Sequence, residues 1–570
     1  MGARPDDRAE AFTRARAAAA QDHRPLNGLG IVRDLAGDHA AAIAGYQQLL
    51  EDDPGFHDAR LNLGAACLAT GRHDEAEAAY RTILAADPKH LGAHYNFGNL
   101  CRDRGQSKQA EQHYLAALHA EPLNIGTMVN LGQLFIDTGR LEEARRLLAK
   151  ATRHAPGNPA VWNALAIAHM NADRLSAAAT CFRRALAINP ASAGAWTNLG
   201  SCYRMSGQLD EAVTCHNNAL ARQPENAKAW TNLGVTQVDF NAIDTALESY
   251  NRALSINPKS TAALFNRGIA HLLTGNLRQG FDDYRVRWQR PDIPALPNGA
   301  PFWEGEDLKG RRLLLFSEQG FGDTLQFVRY APLLQARGAE VILHCQQALV
   351  RLLATAPGIS AAIPRNDLPP PHDLRAALLE LPRLMETSLD SIPFADGYLP
   401  RPAVVAPPAD RRLRVGIVWA GSPSHKNDIR RSCKLTEMFC LFDIPGVDLF
   451  SLQFGKAAGA LGSAEQILVR NAVSGCTDFL DTAKVVCNLD LVITVDTSVA
   501  HLAGALGIRV WVMLPHAPDW RWMLERNDSP WYRTMRLYRQ ANPAEGWEPV
   551  IQQIRHDLSG LADSHNAAVR

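Results

Sequence analysis

Small, aromatic and apolar positions recur at a fixed spacing through the first half of the chain. Alanine returns every 34 residues, an aromatic side chain usually follows four positions later, and glycine and proline keep the same period. The alanines are Ala42, Ala76, Ala110, Ala144, Ala178, Ala212 and Ala246. The glycines are Gly30, Gly64, Gly98, Gly132, Gly200, Gly234 and Gly268, and the prolines run from Pro54 to Pro258. Because glycine and alanine let helices approach closely and proline ends a helix, this pattern predicts a stacked array of helix pairs.

The period and its residues resemble the tetratricopeptide repeat. About eight repeats fit residues 23–290, and the last is degenerate because Gly280 stands where the alanine is expected. Residues 1–22 are expected to form a helical or flexible segment. The resemblance implies an α superhelical solenoid whose concave surface holds a protein segment.

Asparagine forms a further register with the same spacing. Its members are Asn62, Asn96, Asn130, Asn198, Asn232 and Asn266. In tetratricopeptide proteins this position lies on the first helix of each repeat and faces the inner groove. Amide groups both donate and accept hydrogen bonds, so the register fits a groove for an extended protein acceptor. It fits repeat ancestry equally well, because asparagine is common at this position in the family.

The pattern changes after Trp288, where the 34-residue period ends. Residues 291–310 are rich in proline and glycine and are interpreted as a linker. Apolar runs at 313–316 and 340–344 flank a helical pattern at 323–337, which predicts a βαβ unit. The runs RVGIVWAG, VDLFSLQF, DLVITV and RVWVML predict further strands. We expect two Rossmann-like halves, 311–410 and 411–560, followed by a flexible tail at 561–570.

Several motifs in this region point to one group of enzymes. GFGD at 320–323, VITVDTSVAHLAGALG, LGIRVWVMLP, WAGSPSHKNDIRRS and PDWRW resemble heptosyltransferase-like glycosyltransferases over about 300–560. The resemblance implies the α/β GT-B fold, with the acceptor in the first half and a nucleotide-sugar donor in the second. Bacterial tetratricopeptide-repeat glycosyltransferases, including flagellin-modifying ones, look similar in design. The group's usual proline is Lys434 here, and protein O-GlcNAc transferases share the architecture without closely matching catalytic motifs.

Three residues mark the junction between a buried strand and a helix in the second half. Asp496, Thr497 and Ser498 follow the apolar run 492–495, and His501 stands one turn along the helix. A helix N-terminus carries unpaired N–H groups and the positive end of the helix dipole, so it suits a diphosphate. The resemblance implies donor binding by the first three residues and a catalytic or binding role for His501. A simple helix cap, or a local hydrogen bond of His501, is the alternative.

In the first half, Asp323 follows Gly320 and Gly322 at the start of a helix. Glycines let a ligand approach the backbone, which fits phosphate or donor binding. The resemblance implies that Asp323 takes the proton of the acceptor hydroxyl. N-capping of the helix is the alternative role.

Further donor-binding candidates lie in the cationic loop after RVGIVWAG and in PDWRW. Arg431 and Ser432 match the stretch that supplies a phosphate-binding cation in the resembling family, and Lys426 is a second cation of that loop. A solvated basic loop is the alternative for Lys426. Trp520 and Trp522 are candidates for stacking on the nucleotide base, with burial in the core as the alternative.

Composition narrows the function further. The formal net charge of zero argues against a nucleic-acid partner. No apolar run is long enough to span a membrane, and no signal peptide is evident, so we expect a cytoplasmic protein with reduced cysteines. The sequence has no D-x-D motif, so neither a metal nor another cofactor is expected.

These observations predict an inverting, metal-independent glycosyltransferase. The acceptor would be a Ser or Thr hydroxyl of a protein held by the repeats, with flagellin as a candidate. A heptosyltransferase-like enzyme acting on lipopolysaccharide or another glycan is one alternative. A catalytically inactive scaffold for protein–protein interaction is the other.

Overall fold

The computed structural model describes residues 23–290, 299–403, 412–423, 428–462, 468–542 and 545–569. Segment 1–22 and Lys426 lie outside the described residues, as does most of the linker 291–310. The chain divides after Asn232 into two compact units. Within the described ranges, no helix is long and apolar enough to cross a membrane, and all ten cysteines are unpaired thiols.

The first unit is a helical solenoid of paired helices. Its helices are α1 (Arg24–Leu35), α2 (His39–Asp52), α3 (His57–Ala69), α4 (His73–Ala86), α5 (Leu91–Asp103), α6 (Ser107–Ala120), α7 (Ile125–Asp137), α8 (Leu141–His154), α9 (Pro159–Asn171), α10 (Leu175–Ile188), α11 (Ala193–Met205) and α12 (Leu209–Arg222). The boundary between the units falls inside α13 (Ala227–Asp239).

Close contact between the two helices of a repeat explains the periodic residues. A Cβ placed on Gly98 would lie only 2.6 Å from Cε1 of Tyr114, and Gly30 and Gly64 face their own tyrosines in the same way. The periodic alanines are fully buried. Glycine, alanine and the aromatic side chain therefore form the interior of each helix pair, as the sequence pattern predicts.

The second unit begins with the end of this repeat pattern. It contains α14 (Ile243–Ile256), α15 (Thr261–Leu273), α16 (Leu277–Tyr284) and a 3₁₀ turn at Arg285–Gln289. Apolar side chains of these helices share one continuous core with the sheet region that follows.

The first sheet has four parallel strands. They are β1 (Arg312–Phe316), β2 (Glu340–Cys345), β3 (Ala361–Pro364) and β4 (Leu374–Ala377), in the order β3-β2-β1-β4. Between β1 and β2 run α17 (Phe321–Phe327), a 3₁₀ turn and α18 (Ala331–Ala336). Short helices α19 (Val350–Leu353) and α20 (Leu381–Leu384) follow β2 and β4.

The second sheet has six parallel strands. They are β5 (Leu413–Val418), β6 (Val447–Ser451), β7 (Val469–Asn471), β8 (Leu491–Val495), β9 (Val510–Leu514) and β10 (Met535–Arg539), in the order β10-β9-β8-β5-β6-β7. Its helices are α21 (Asp428–Arg431), α22 (Phe479–Val486), α23 (Ser498–Ala505) and α24 (Glu548–Val569). Numbered within this sheet alone, the strands follow the doubly wound order 3-2-1-4-5-6.

Three predicted elements need correction. The pattern at 323–337 forms two helices, because the chain makes a 3₁₀ turn at Val328–Tyr330 just before Pro332. The sequence near 436–442 also suggests a helix, and this segment forms a 3₁₀ helix, Leu435–Leu441. Residues 561–569, where the sequence suggests a flexible tail, form the helical end of α24.

Candidate functional site

Strands β5 and β8 lie side by side at the centre of the second sheet, where the strand order reverses. Val418 at the end of β5 is paired with Thr494 near the end of β8. Parallel doubly wound sheets bind ligands outside the carboxyl ends of the strands at such a switch point. The topology therefore brings together the two loops that the sequence predicts for donor binding, those after β5 and β8.

The N-terminus of α23 forms one side of this point. Thr497 is the N-cap residue, but its side chain makes no cap hydrogen bond to the helix. Its hydroxyl instead lies 3.0 Å from that of Thr494. The simple-cap alternative therefore does not describe Thr497. The first turn of α23 retains the donor character of an uncapped helix end.

The loop after β5 forms the other side. The N–H of Gly421 donates to Oγ of Ser432 (3.0 Å), and that hydroxyl donates to Oδ1 of Asp428 (3.0 Å). Nε of Arg431 donates to the same carboxylate oxygen at 3.3 Å. A Cβ on Gly421 would come within 2.6 Å of Nη2 of Arg431. Gly421 thus lets the guanidinium lie over the strand end, where only 14% of its side chain is exposed.

Asp323 reaches the same region from the first sheet. Its Oδ2 accepts a hydrogen bond from the N–H of Gly320, the N-cap residue of α17, at 2.8 Å. Its Oδ1 is paired with Nη2 of Arg521. Arg521 also donates through Nη1 to Asp519 at 2.8 Å and through Nε to Gln326 at 2.9 Å. The base candidate is therefore a capping residue and an ion-pair partner as well.

Arg521 and Asp519 also lie at the candidate site, and the sequence reasoning missed them. They lie within PDWRW, in which the sequence pattern indicated only the two tryptophans as candidates. Arg521 is 8% exposed and holds one carboxylate from each half of the sheet region. The signal available in the sequence was the D-x-R spacing in that motif. Its partner Asp323 is 198 residues away, so spacing alone could not reveal the pair.

Asp496 is half-buried at the end of β8. Burial and the nearby charge of Asp519 raise its pKa to about 6, and Arg431 and Arg521 only partly oppose this shift. The carboxyl group of Asp496 can therefore change its charge close to neutral pH. Such perturbed groups are enriched at functional sites, although structural networks also produce them.

His501 is a buried, neutral imidazole. Nδ1 lies 3.0 Å from the hydroxyl of Tyr532, and the ring stacks on Trp522 with centroids 5.4 Å apart. Burial lowers its pKa to about 3, and the charge of Arg521 adds to the effect. A Cβ on Gly322 would lie 2.8 Å from Cδ2 of His501. Gly322 is needed for this contact between α17 and α23, and the local hydrogen bond considered for His501 is present.

The two tryptophans of PDWRW are core residues. Trp520 is 4% exposed and packs edge-to-face on Phe281, and Trp522 is fully buried beside His501. Stacking on a nucleotide base needs an accessible ring face, which neither side chain offers. The base-stacking prediction therefore does not fit this arrangement, and burial is the role that the structure gives both rings.

The asparagine register is partly engaged within the solenoid. Asn62 donates to Asn27 (3.0 Å), Asn130 to Asn99 (2.8 Å), Asn198 to Asn163 (3.3 Å) and Asn232 to Ser201 (3.1 Å), each time on the preceding repeat. Asn266 donates to the carbonyl of Ala262 in its own helix. All six members of the register, including Asn96, are half-buried. These amides therefore use part of their hydrogen-bonding capacity within the solenoid.

Comparisons with known proteins concern mainly the repeats. The family described as "Cilia and flagella-associated protein 70 C-terminal domain" matches residues 57–264. Protein FlbA of Caulobacter vibrioides is 26% identical over 332 residues, which cover 51% of this chain and 54% of FlbA. The chain thus spans about half the length of that relative.

The comparison with solved structures gives further matches. The Cut9–Hcn1 tetramer of APC/C matches with 19% identity, 47% of this chain, 53% of that chain and a TM-score of 0.40. MamA matches with 26% identity, 28% of this chain, 95% of that chain and a TM-score of 0.26. A tetratricopeptide repeat protein from Parabacteroides merdae matches with 16% identity, 44% of this chain, 98% of that chain and a TM-score of 0.38.

The 34-residue period, the helix pairs that carry it and the family match over the repeats agree with one another. Arrays of this kind are protein-interaction scaffolds. The chain is a tetratricopeptide-repeat protein whose helical solenoid is followed by a C-terminal region with two parallel sheets.

Proposed function

We propose that the C-terminal region is a glycosyltransferase of GT-B architecture that moves a sugar from a nucleotide-sugar donor to a protein. One observation carries the proposal: donors suited to a diphosphate converge at the switch point of the second sheet. They are the uncapped N-terminus of α23, the hydroxyls of Thr497 and Ser498, and the guanidinium of Arg431.

The two sheets support the architecture. Each contains a strand order compatible with a doubly wound fold, and α17 of the first half packs against α23 of the second. This contact sets Asp323 beside the segment that follows β9, through its pair with Arg521. The packing of these two helices thus puts Asp323 in the same region of the molecule as the proposed anion site.

In the proposed reaction, the diphosphate leaves as an anion stabilised by the helix N-terminus and Arg431. Asp323 takes the proton of the attacking hydroxyl. To reach that hydroxyl, its carboxylate must first separate from Arg521. Arg521 is shared by two carboxylates, since Asp519 also holds it at 2.8 Å. When Asp323 turns to the acceptor, the buried guanidinium keeps a charged partner, so the cost of separating the pair is reduced.

The N-terminal repeats suggest which class of acceptor the enzyme uses. A repeat scaffold that binds a protein segment would supply a Ser or Thr hydroxyl, and flagellin is the first candidate. Transfer to lipopolysaccharide or another glycan would instead leave the repeats to dock a biosynthetic partner. An inactive sheet region would leave the scaffold function alone.

Calorimetry with the five common nucleoside diphosphates, in EDTA, tests the donor site. We expect one of them to bind. Arg431→Ala should weaken binding by about 1.5–3 kcal/mol, the contribution of a hydrogen bond to a charged group. Arg430→Ala is the matched control, since Arg430 is the next residue in the chain and 46% of its side chain is exposed. Failure of all five to bind, or binding only with a divalent metal, would overturn the proposal.

A second measurement tests the base. Asp323→Asn should keep the affinity for the diphosphate while lowering turnover of the matching nucleotide sugar by about 10²–10⁴-fold. Turnover at the wild-type rate would remove Asp323 from the mechanism. Diphosphate binding without any turnover, with both protein and glycan acceptors offered, would favour an inactive scaffold.

A further inference from the structure

The last repeat packs directly on the sheet region within the second unit. Phe281 of α16 meets Trp520 edge-to-face with ring centroids 5.6 Å apart, and it meets Phe327 of α17 in the same manner at 6.4 Å. All three rings are buried. The end of the repeat array is therefore built into the hydrophobic core beneath the candidate site.

Polar contacts join the same repeat to the loop between β1 and α17. Nε2 of Gln319 donates to the hydroxyl of Tyr284 at 3.0 Å. Arg287 donates to both carboxylate oxygens of Glu318, through Nη2 at 2.9 Å and Nε at 3.1 Å. Its Nη1 lies 2.6 Å from Glu380. Arg287 and Glu318 are only 1% and 3% exposed, so water does not weaken this pair.

The loop that is held in this way carries the base candidate. Glu318 and Gln319 immediately precede Gly320, whose N–H donates to Asp323. The carbonyl of Gln319 also accepts a hydrogen bond from Nε2 of Gln346 at 2.9 Å. The loop at 318–320 is thus held from two directions. The repeat bonds to the side chains of Glu318 and Gln319, and Gln346, which follows β2, bonds to the backbone of Gln319.

Tyr284 departs from the packing of its register. In the repeat before it, a Cβ on Gly234 would strike the ring of Tyr250 at 2.6 Å. At Gly268, the equivalent glycine, the three nearest atoms belong to Gly280, Asp283 and the backbone of Tyr284, and none is a ring atom. The ring of Tyr284 is therefore not the nearest contact of its glycine, and its hydroxyl accepts a hydrogen bond from Gln319.

We propose that Tyr284 and Arg287 are positioning residues of the transfer site, so that the final repeat sets the geometry of Asp323. The inference rests on the proposed function. It adds that the scaffold does more than hold an acceptor: its last repeat is part of the site. The repeat array and the sheet region cannot then be separated at the linker without disturbing the loop at 318–323.

Tyr284→Phe tests the inference in the full-length chain, because it removes one hydroxyl and keeps the ring. Phe182 shows that this register accepts phenylalanine. Tyr250→Phe, one repeat earlier in the same register, is the matched control. We expect amide exchange in the segment 318–323 to become about 2- to 10-fold faster in Tyr284→Phe, the effect of one lost hydrogen bond, and to stay unchanged in the control.

Kinetics provide the second readout, with the nucleotide sugar that wild type turns over. Tyr284→Phe should lower kcat about tenfold at an unchanged KM for the donor, because the base is displaced and the donor loops are not. Equal exchange in both variants, or a change in KM with kcat preserved, would overturn the inference. If wild type turns over no nucleotide sugar, the proposed function fails, and the exchange measurement still decides whether Tyr284 holds the loop.

Discussion

At position 216, a histidine takes the place that tyrosine holds in most other repeats of the solenoid. It occupies the register of Tyr46, Tyr80 and Tyr114, and a Cβ on Gly200 would lie 2.6 Å from its ring. The imidazole is fully buried, and neither nitrogen has a hydrogen-bond partner. Burial lowers its pKa to about 4, with Arg204 adding to the shift. The site accepts the shape of an aromatic ring but leaves its polar atoms unsatisfied.

We therefore expect His216→Phe to raise the free energy of unfolding by about 1–3 kcal/mol, the usual cost of an unsatisfied buried polar group. The pH dependence should change as well. Since the native pKa lies below the usual 6.5, the unfolded state binds more protons between about pH 6.5 and 4, and wild type loses stability as pH falls through this range. The variant should lose less over the same range.

Urea unfolding at pH 7 and pH 5, followed by helical circular dichroism, measures both effects. Other histidines with a lowered pKa, such as the half-buried His113, also contribute to the acid sensitivity, so the variant should retain part of it. An identical loss between the two pH values in variant and wild type would contradict the assignment to His216.

Among the elements, α23 combines a structural and a functional requirement at its first turn. A Thr at the N-cap normally bonds to the helix, yet Thr497 bonds to Thr494 and leaves the helix end open. Thr497→Asp should supply the missing cap and stabilise the protein by about 0.5–1 kcal/mol. It should also place a negative charge where the diphosphate is proposed to bind, and weaken that binding about tenfold or more.

Thr497→Asn separates the two effects, because it caps equally well without the charge. Denaturant unfolding gives the stability of both variants, and calorimetry gives the affinity for the nucleoside diphosphate. If the Asp and Asn variants bind it equally well, the anion does not lie at the N-terminus of α23.

A sequence pattern predicts a helix or a strand where the interactions that form it involve residues close together in the sequence. The repeats follow because each contact between glycine, alanine and an aromatic ring falls within one 34-residue unit. Strands β1, β5, β8 and β9 follow from apolar runs buried on both faces. Strands β3, β4, β7 and β10 escaped prediction. They are short or carry charged residues, and their place is set by pairing with a neighbour in the sheet.

The residues of the candidate site fall into the same two groups, those that a local sequence signal identifies and those that it does not. Asp496, Thr497 and Arg431 could be singled out because they follow strand ends, and the sheet order brings those ends together. The pair between Asp323 and Arg521, and the attachment of Arg287 to Glu318, join residues distant in sequence. Only the packing of whole elements reveals such contacts.

At the scale of the whole molecule, the asparagine register has two roles to separate. Asn198 and Asn232 donate to the preceding repeat, and Asn266 donates within its own helix. Each bond contributes about 0.5–1.5 kcal/mol, so replacing the three together should cost some stability. The fold should survive, because the repeat cores consist of buried apolar side chains that the substitutions leave in place.

If these amides hold a protein acceptor, the triple alanine variant should lose modification of that protein and keep donor binding. Donor affinity by calorimetry should match wild type within about twofold, since the substitutions lie outside the donor loops. Acceptor modification is measured by intact mass, with flagellin as the first substrate offered. Asn218→Ala, on the second helix of its repeat, controls for loss of an amide elsewhere in the array. Unchanged modification by a folded triple variant would assign the register to repeat ancestry and favour a glycan acceptor, because the groove would then contribute nothing to substrate capture.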